Sequence, residues 1–321
     1  MSKKILFFDV VLKERIWGGT DLQALYRQNI DKNIGEAWIL SGHHEGETKV
    51  SSGVFMGQKL NDLYLDHKEL FGESYHPKFP LLIKIIDAKD DLSVQVHPDD
   101  DYAFKYHNDN GKNECWYILD AKEDAKIIYG HNATSREEFE EHIKNNTWKD
   151  VLNEVKVQKG DFFFVPTGTV HAIGKGIKIL EVQQSSDVTY RLYDYDRVDS
   201  EGKPRTLHIQ ESLDVINYQK TVRNELYDKY KSVTRFISNE YFTVDKIDLE
   251  GDVEVRGDNT YTILFSKDSP VSIGIDGVNY LLPENLIAIV TAQTKEFTLS
   301  GNTTCFLIRE KEHKLSHTYT F

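Results

Sequence analysis

The segment Gly160-Asp-Phe-Phe-Phe-Val-Pro166-Thr-Gly168-Thr-Val-His171 places a histidine at the start of a strand, directly after a Pro and Gly turn. Upstream, Leu92-Ser-Val-Gln95-Val-His97-Pro98 sets an amide and an imidazole two residues apart. In an extended strand residues i and i+2 point to one face, so Gln95 and His97 can both reach the same ion. Glu114 follows the polar turn HNDNGKN and opens the strand ECWYILDA, where the chain returns beside the Gln95 strand. Amide oxygen, imidazole nitrogen and carboxylate oxygen are donors that a divalent ion takes, and a bound ion polarises a carbonyl or activates water.

These side chains need strands to carry them. From the N-terminus to about residue 130 the pattern is short strand-like runs between Gly, Asp and Asn, as in ILFFDVVL, EAWILS, LLIKIIDA and LSVQVHP. Helices interrupt at TDLQALYRQ, at LNDLYLDHKELFG and after HNAT, where Ser135 and Glu138 form an S-x-x-E capping box. Strands resume at EVKVQKGDFFFVP, and TLHIQESLDVINYQK reads as one more helix. From about residue 236 every run is strand-like, which predicts a compact second β domain. No histidine lies between His208 and His313, so a metal is expected only in the first β region.

Composition bounds the partners. The 321 residues fit two globular domains, with 39% hydrophobic and 12% aromatic residues to fill two cores. Against 39 Lys and Arg stand 52 Asp and Glu, a net charge of −13 that repels nucleic acid and anionic membrane. The opening MSKKILFFDVVLKERIW has no long apolar region and no small-residue cleavage site, so no signal peptide is read there, and no run approaches a membrane span. The only cysteines, Cys115 and Cys305, lie far apart, which fits a reducing cytoplasm.

The spacing around His171, G-x5-P-x-G-x2-H, resembles the second signature of the cupin superfamily, jelly-roll barrels that bind a metal between their sheets. The match runs through the histidine; Lys175 stands where an asparagine is usual. Cupins draw their other ligands from an earlier strand pair, commonly H-x-H followed by a carboxylate, and the resemblance groups Gln95, His97 and Glu114 with His171. Such an O, N, O, N set suits Zn²⁺ at roughly 2.0–2.2 Å, with room for water or substrate. The expected fold is mainly β: a cupin catalytic barrel with inserted helices over residues 1–235, and a smaller cupin-like β domain without a metal site over 236–321. His43, His44, His67, His76, His107, His131 and His142 read as solvated.

Nearly the whole chain is similar to the type I mannose-6-phosphate isomerases, in the short form found in Gram-positive bacteria. The motifs are KERIWGG, GEAWILSGH, FPLLIKIIDAKDDLSVQVHPDD, KNECWYIL, VPTGTVHAIG and SSDVTYRLYDYDR, in that order. The resemblance implies one Zn²⁺ per chain on Gln95, His97, Glu114 and His171, and interconversion of mannose 6-phosphate and fructose 6-phosphate through a cis-enediol. It also implies Arg191 as a second electrophile and Lys112 as a proton carrier. Lys84 and Ser93 fall near sugar and phosphate, and Trp17 at the pocket mouth. The expected partner is a small hexose phosphate, and the expected state a cytoplasmic monomer or weak homodimer. Where the larger enzymes read H-K-P-E, this chain has Gly111-Lys112-Asn113-Glu114, so any role of that histidine in ring opening falls to another group or to water. Two other readings compete: a noncatalytic sugar-phosphate-binding cupin, and an iron or manganese cupin oxygenase, which Gln95 in place of the first histidine fits less well.

Overall fold

A computed structural model describes residues 3–72, 74, 76–198, 201–223, 227–311 and 318–320. The fold is mainly β, and the chain groups into two compact units. One comprises Leu12–Trp38 and Leu82–Asn224; the other comprises Met1–Val11, Ile39–Leu81 and Glu225–Phe321. The grouping differs from a single cut at residue 235. Strand Ile5–Phe7 pairs antiparallel with Ile287–Val290, almost the full chain length away, because Ile5 completes the apolar core of the second unit. His313 lies outside the described residues.

The unit that carries the candidate ligands is built mainly on two sheets. The six-stranded sheet runs in the order Val11–Gly19, Ile34–Ser41, Leu81–Ala88, Ile177–Gln184, Glu114–Ala121, Phe162–Val165. The five-stranded sheet runs Tyr190–Tyr193, Val94–Val96, His171–Ile173, Lys126–His131, Leu152–Lys156. Side chains from both sheets, including Trp116, Ile118 and Phe163 from one and Ile127, Tyr129 and Ile173 from the other, share one buried cluster. That cluster is the barrel interior. The opposite face of the five-stranded sheet packs Val94, Val96 and Ala172 against Phe139, Trp148 and Leu213 of the helices Arg136–Lys144, Trp148–Val151 and Ile209–Val215.

Strand alternation then decides where the polar residues go. Val94 and Val96 face the helices, so Gln95 between them faces the interior; with Ala172 under the helices, His171 and Ile173 face inward too. Leu81–Ala88 is buried at all eight positions, as expected of a strand covered on both faces, and Lys84 is its one basic member.

Helix Asp100–His107, which the sequence reading did not name, lies just before the turn HNDNGKN. Only Ala103 of it is buried, so it lacks the apolar stripe by which helices are recognised. Its ends are nevertheless well specified: the Asp99 carboxylate accepts from Tyr102 N at 2.9 Å, and Asp100 and Asp101 open the first turn. The capping box at Ser135 forms in half. Ser135 Oγ accepts from Glu138 N at 3.2 Å, but the Glu138 carboxylate turns to Thr134 N and Oγ1 instead of Ser135 N.

In the other unit, Phe242–Arg256 and Glu296–Glu310 pair along fifteen residues and supply much of a separate apolar core. Tyr64, Phe71, Phe79 and Tyr261 of this unit meet mostly edge to face, at centroid distances of 5.0–6.1 Å.

Candidate active site

His171 pairs across the ladder with Gln95, and Gln95 with Arg191, so three polar side chains enter the barrel side by side from adjacent strands. Glu114 arrives from the facing sheet, where it sits opposite Gln183 and Val165. The Pro and Gly turn does more than end a strand. Gly168, at φ +80°, donates its N–H to His97 O at 2.9 Å, which ties the turn before His171 to the backbone of His97.

His97, Glu114 and His171 converge, with one donor atom from each lying within 4.8 Å of the others. Nε2 of His97 and Nε2 of His171 each stand 3.4 Å from a different oxygen of Glu114. Both imidazoles direct Nδ1 at a backbone carbonyl, His97 at Val188 O (2.9 Å) and His171 at Thr169 O (2.8 Å). A carbonyl can only accept, so the ring proton is on Nδ1 and the Nε2 lone pairs point at the cluster centre. Burial, reinforced by Lys112, holds His97 neutral, down at about 3, and burial lowers His171 too. Burial would raise Glu114, but its charged surroundings, Lys112 first, outweigh it and hold the carboxyl well below its ordinary range. Both Glu114 oxygens are buried without a hydrogen bond. Gln95 completes the set from one side, its amide 3.3 Å from His171 Nε2; a half-turn of that amide brings its oxygen to the same point. Fully buried carboxylate oxygens that accept no hydrogen bond, facing two imidazole nitrogens, are what a divalent cation would satisfy. The residues therefore fit Zn²⁺.

A cavity of about 360 Å³ opens beside this cluster, within the range of small-molecule sites. It brings together Trp17, Lys84, Ser93, Gln95, Lys112, His171 and Arg191, seven of the nine residues expected from the sequence. His97 and Glu114 are fully buried behind it, and Lys112 Nζ is 3.2 Å from His97 Nε2 and 3.3 Å from Glu114 Oε2. Trp17 differs from its expected place at an open mouth: it is 4% exposed and part of the barrel core, so it forms wall. Lys84 is committed, its ammonium 3.0 Å from Glu181 Oε1.

The sequence reading did not single out Arg15, Glu36, Glu181, Asp187, Arg205 and His208, all of which line the cavity. Glu36 accepts from Arg15 (2.8 and 3.0 Å) and from Trp38 Nε1 (2.7 Å), and Glu181 accepts from Trp116 Nε1 (3.1 Å). Glu181 could have been found by register, since it lies opposite Trp116, two residues after Glu114 on the same inward face. Two histidines read as solvated are in fact buried. His131 packs edge-on to Phe139 beneath the helices and bonds Asn217 O at 3.1 Å, and His43 is 3% exposed. A larger cavity, about 830 Å³, opens by Trp148, Tyr193 and Tyr195 and contains none of the expected site residues.

A jelly-roll barrel with a buried His, Glu, His cluster beside a small polar cavity defines a cupin of the metal-site type. The phosphomannose isomerase type I catalytic domain profile matches residues 5–124, a span that includes Gln95, His97, Lys112 and Glu114. Mannose-6-phosphate isomerase ManA of Bacillus subtilis is 47% identical over 270 residues, covering 82% of this chain and 85% of its own. The mannose-6-phosphate isomerase of Streptococcus mutans is 41% identical, with 91% and 94% covered. The crystal structure of mannose 6-phosphate isomerase from Bacillus subtilis superposes with a TM-score of 0.90 at 38% identity, over 95% of this chain and 99% of that one. A zinc-bound mannose 6-phosphate isomerase at 16% identity shares the fold, with a TM-score of 0.80 over 96% and 100% of the two chains. The chain belongs to the type I phosphomannose isomerases and is an enzyme.

Proposed function

We propose that this enzyme interconverts mannose 6-phosphate and fructose 6-phosphate, using one Zn²⁺ held by Gln95, His97, Glu114 and His171. The observation that carries the zinc assignment is the Glu114 carboxylate, ionised and buried with neither oxygen hydrogen-bonded, between two imidazoles whose Nε2 lone pairs face it. The relatives named above carry the substrate assignment.

Bound there, zinc supplies a Lewis acid for the carbonyl and hydroxyl oxygens of the sugar. The chain's own groups do the rest. Lys112 lines the cavity beside the cluster and is assigned to carry the proton between C2 and C1 of the enediol. Ser93 and Thr206 hold the Arg191 guanidinium, which presents its charge to substrate oxygens. Trp17, Ile86, Leu92 and Ile173 form an apolar wall that keeps bulk water from the reacting carbons. Lys84, fixed between Glu181 and the Trp38 ring, shapes the floor and faces the sugar. The histidine that precedes the lysine in the larger enzymes has no room here: a Cβ at Gly111 would lie 2.5 Å from Asp99 C and Asp100 N.

The test is a coupled assay on zinc-loaded protein of verified metal content. Turnover of mannose 6-phosphate, with solvent deuterium entering the sugar in D₂O, is expected. Binding without exchange would instead indicate a noncatalytic sugar-phosphate binder, and oxygen uptake an oxygenase. The same reading places the enzyme in the cytoplasm as a monomer or weak dimer, which light scattering across concentrations checks.

A further inference from the structure

Three arginines gather around one carboxylate at the edge of the active cavity. Asp194, 5% exposed, accepts from Arg205 Nε at 2.7 Å and from Arg205 Nη2, and also from Arg197 Nη2 at 2.6 Å. Arg191 is close enough to feel the other two charges: burial first, and then Arg205, weakens its hold on its proton. With Asp90 4.0 Å from Arg197, two carboxylates stand against three guanidiniums, a local positive excess in a protein whose overall balance is −13. The rest of the cavity is largely paired off, with Arg15 on Glu36, Lys84 on Glu181 and Lys112 beside Glu114. Asp187, the remaining carboxylate of the lining, acts on Arg15 and Lys84.

The three arginines are not equivalent. Arg197 turns away: it lies over the Tyr195 ring and donates to Asp194 and to Asp91 O, and it does not line the cavity. Arg191 and Arg205 do line it. Arg191 spends Nε on Ser93 and Nη1 on Thr206 O, which leaves Nη2; Arg205 spends Nε and Nη2 on Asp194, which leaves Nη1. Neutral donors stand with them. Ser93 Oγ accepts from Arg191, so its hydroxyl proton is available, and His208 Nδ1 accepts from Arg191 N at 3.2 Å, so its proton is on Nε2.

We propose that Arg205, clamped by Asp194 and paired with Arg191, is the residue that recognises the 6-phosphate, and that Asp194 is its positioning residue. A phosphate monoester near pH 7 carries roughly −1.5 to −2, opposite in sign to the local excess, and guanidinium nitrogens are its preferred charge-assisted donors. The clamp removes much of the rotamer freedom that a half-exposed arginine would otherwise lose on binding. The assignment rests on the isomerase reading above and deepens it by fixing which end of the cavity takes the phosphate.

The experiment compares zinc-loaded wild type with Arg205→Ala, Arg205→Lys, Asp194→Asn and the Arg205→Ala/Asp194→Asn double variant, each checked for metal content and for a native circular dichroism spectrum. Expected for Arg205→Ala is a KM for mannose 6-phosphate raised about tenfold or more, with kcat within a few-fold, and a parallel weakening of inhibition by inorganic phosphate. Arg205→Lys should fall between. Asp194→Asn should raise KM less, and the double variant should match Arg205→Ala, since the carboxylate acts through the guanidinium. An unchanged KM in Arg205→Ala, or a lost kcat at constant KM, overturns the proposal while wild-type turnover leaves the isomerase reading standing. Absence of wild-type turnover defeats that reading itself. If Asp194→Asn does not fold, the two Arg205 variants still decide.

Discussion

Glu114 concentrates the chemistry of the site in one side chain. Glu114 has zero exposure and neither oxygen hydrogen-bonded, with Lys112 Nζ 3.3 Å from Oε2 on one side only, so a divalent cation between the imidazoles would balance the rest of its buried charge. Glu114→Gln should therefore bind zinc at least about 100-fold more weakly and lose activity in step, read by metal analysis after dialysis and by the coupled assay. Removal of the metal from wild type with a chelator should abolish turnover, and added Zn²⁺ should restore it. Glu36 tests charge pairing away from the metal. Burial would raise it, but Lys84 and Arg15 hold it down at about 2. A carboxyl lowered in the folded state from an ordinary 4.5 contributes stability that is present above pH 4.5 and is lost as pH falls towards 2, roughly 3 kcal/mol in all. Urea midpoints of wild type and Glu36→Gln should differ at pH 7 and converge near pH 2. A constant gap across that window would show that the pair carries no such linkage.

Between residue and molecule stand the short elements that aim these groups. Gly168 lies at φ +80°, donates to His97 O, and has Val215 O only 2.9 Å from where a Cβ would sit. Gly168→Ala should cost about 1–2 kcal/mol from the left-handed backbone alone, and more from the contact. Because the turn sets His171 against His97, zinc affinity should fall with melting temperature, whereas a strained turn with no positioning role would lower the melting temperature only. Much at this scale was legible in the sequence. The Pro and Gly turn, the i, i+2 pair Gln95 and His97, and the strands on either side are local patterns, and each forms as read. Helix Asp100–His107 was not, because its stabilisation lies in capping and charge placement at its ends, with no apolar periodicity between them.

For the molecule as a whole, the order of the sequence is a poor guide to what packs with what. The second unit draws on Met1–Val11, Ile39–Leu81 and Glu225–Phe321, so it is no C-terminal appendage. Truncation near residue 235 should leave Ile5–Phe7 without Ile287–Val290 and expose Phe71 and Phe79, which pack on Tyr261. The expected product is aggregated protein in the pellet; a soluble, monodisperse and active fragment would show that the remainder folds alone.

Parity along a strand and the geometry of a turn span a few residues, so the candidate ligands were legible in the sequence: Gln95 and His97 from their i, i+2 spacing and His171 from a twelve-residue pattern, while their grouping with Glu114 came from the resemblance to the cupins. The charge on the cavity walls is a different matter. Glu36, Glu181, Asp194 and Arg205 come from separate strands and a loop, and each is partnered by a residue distant in sequence or across a turn: Arg15, Trp116 or the arginines around Asp194. Only the tertiary structure decided which of these charges are neutralised and which face the substrate, because an ionic group's role depends on its neighbours in space, and neighbours in space are set by sheet order and register.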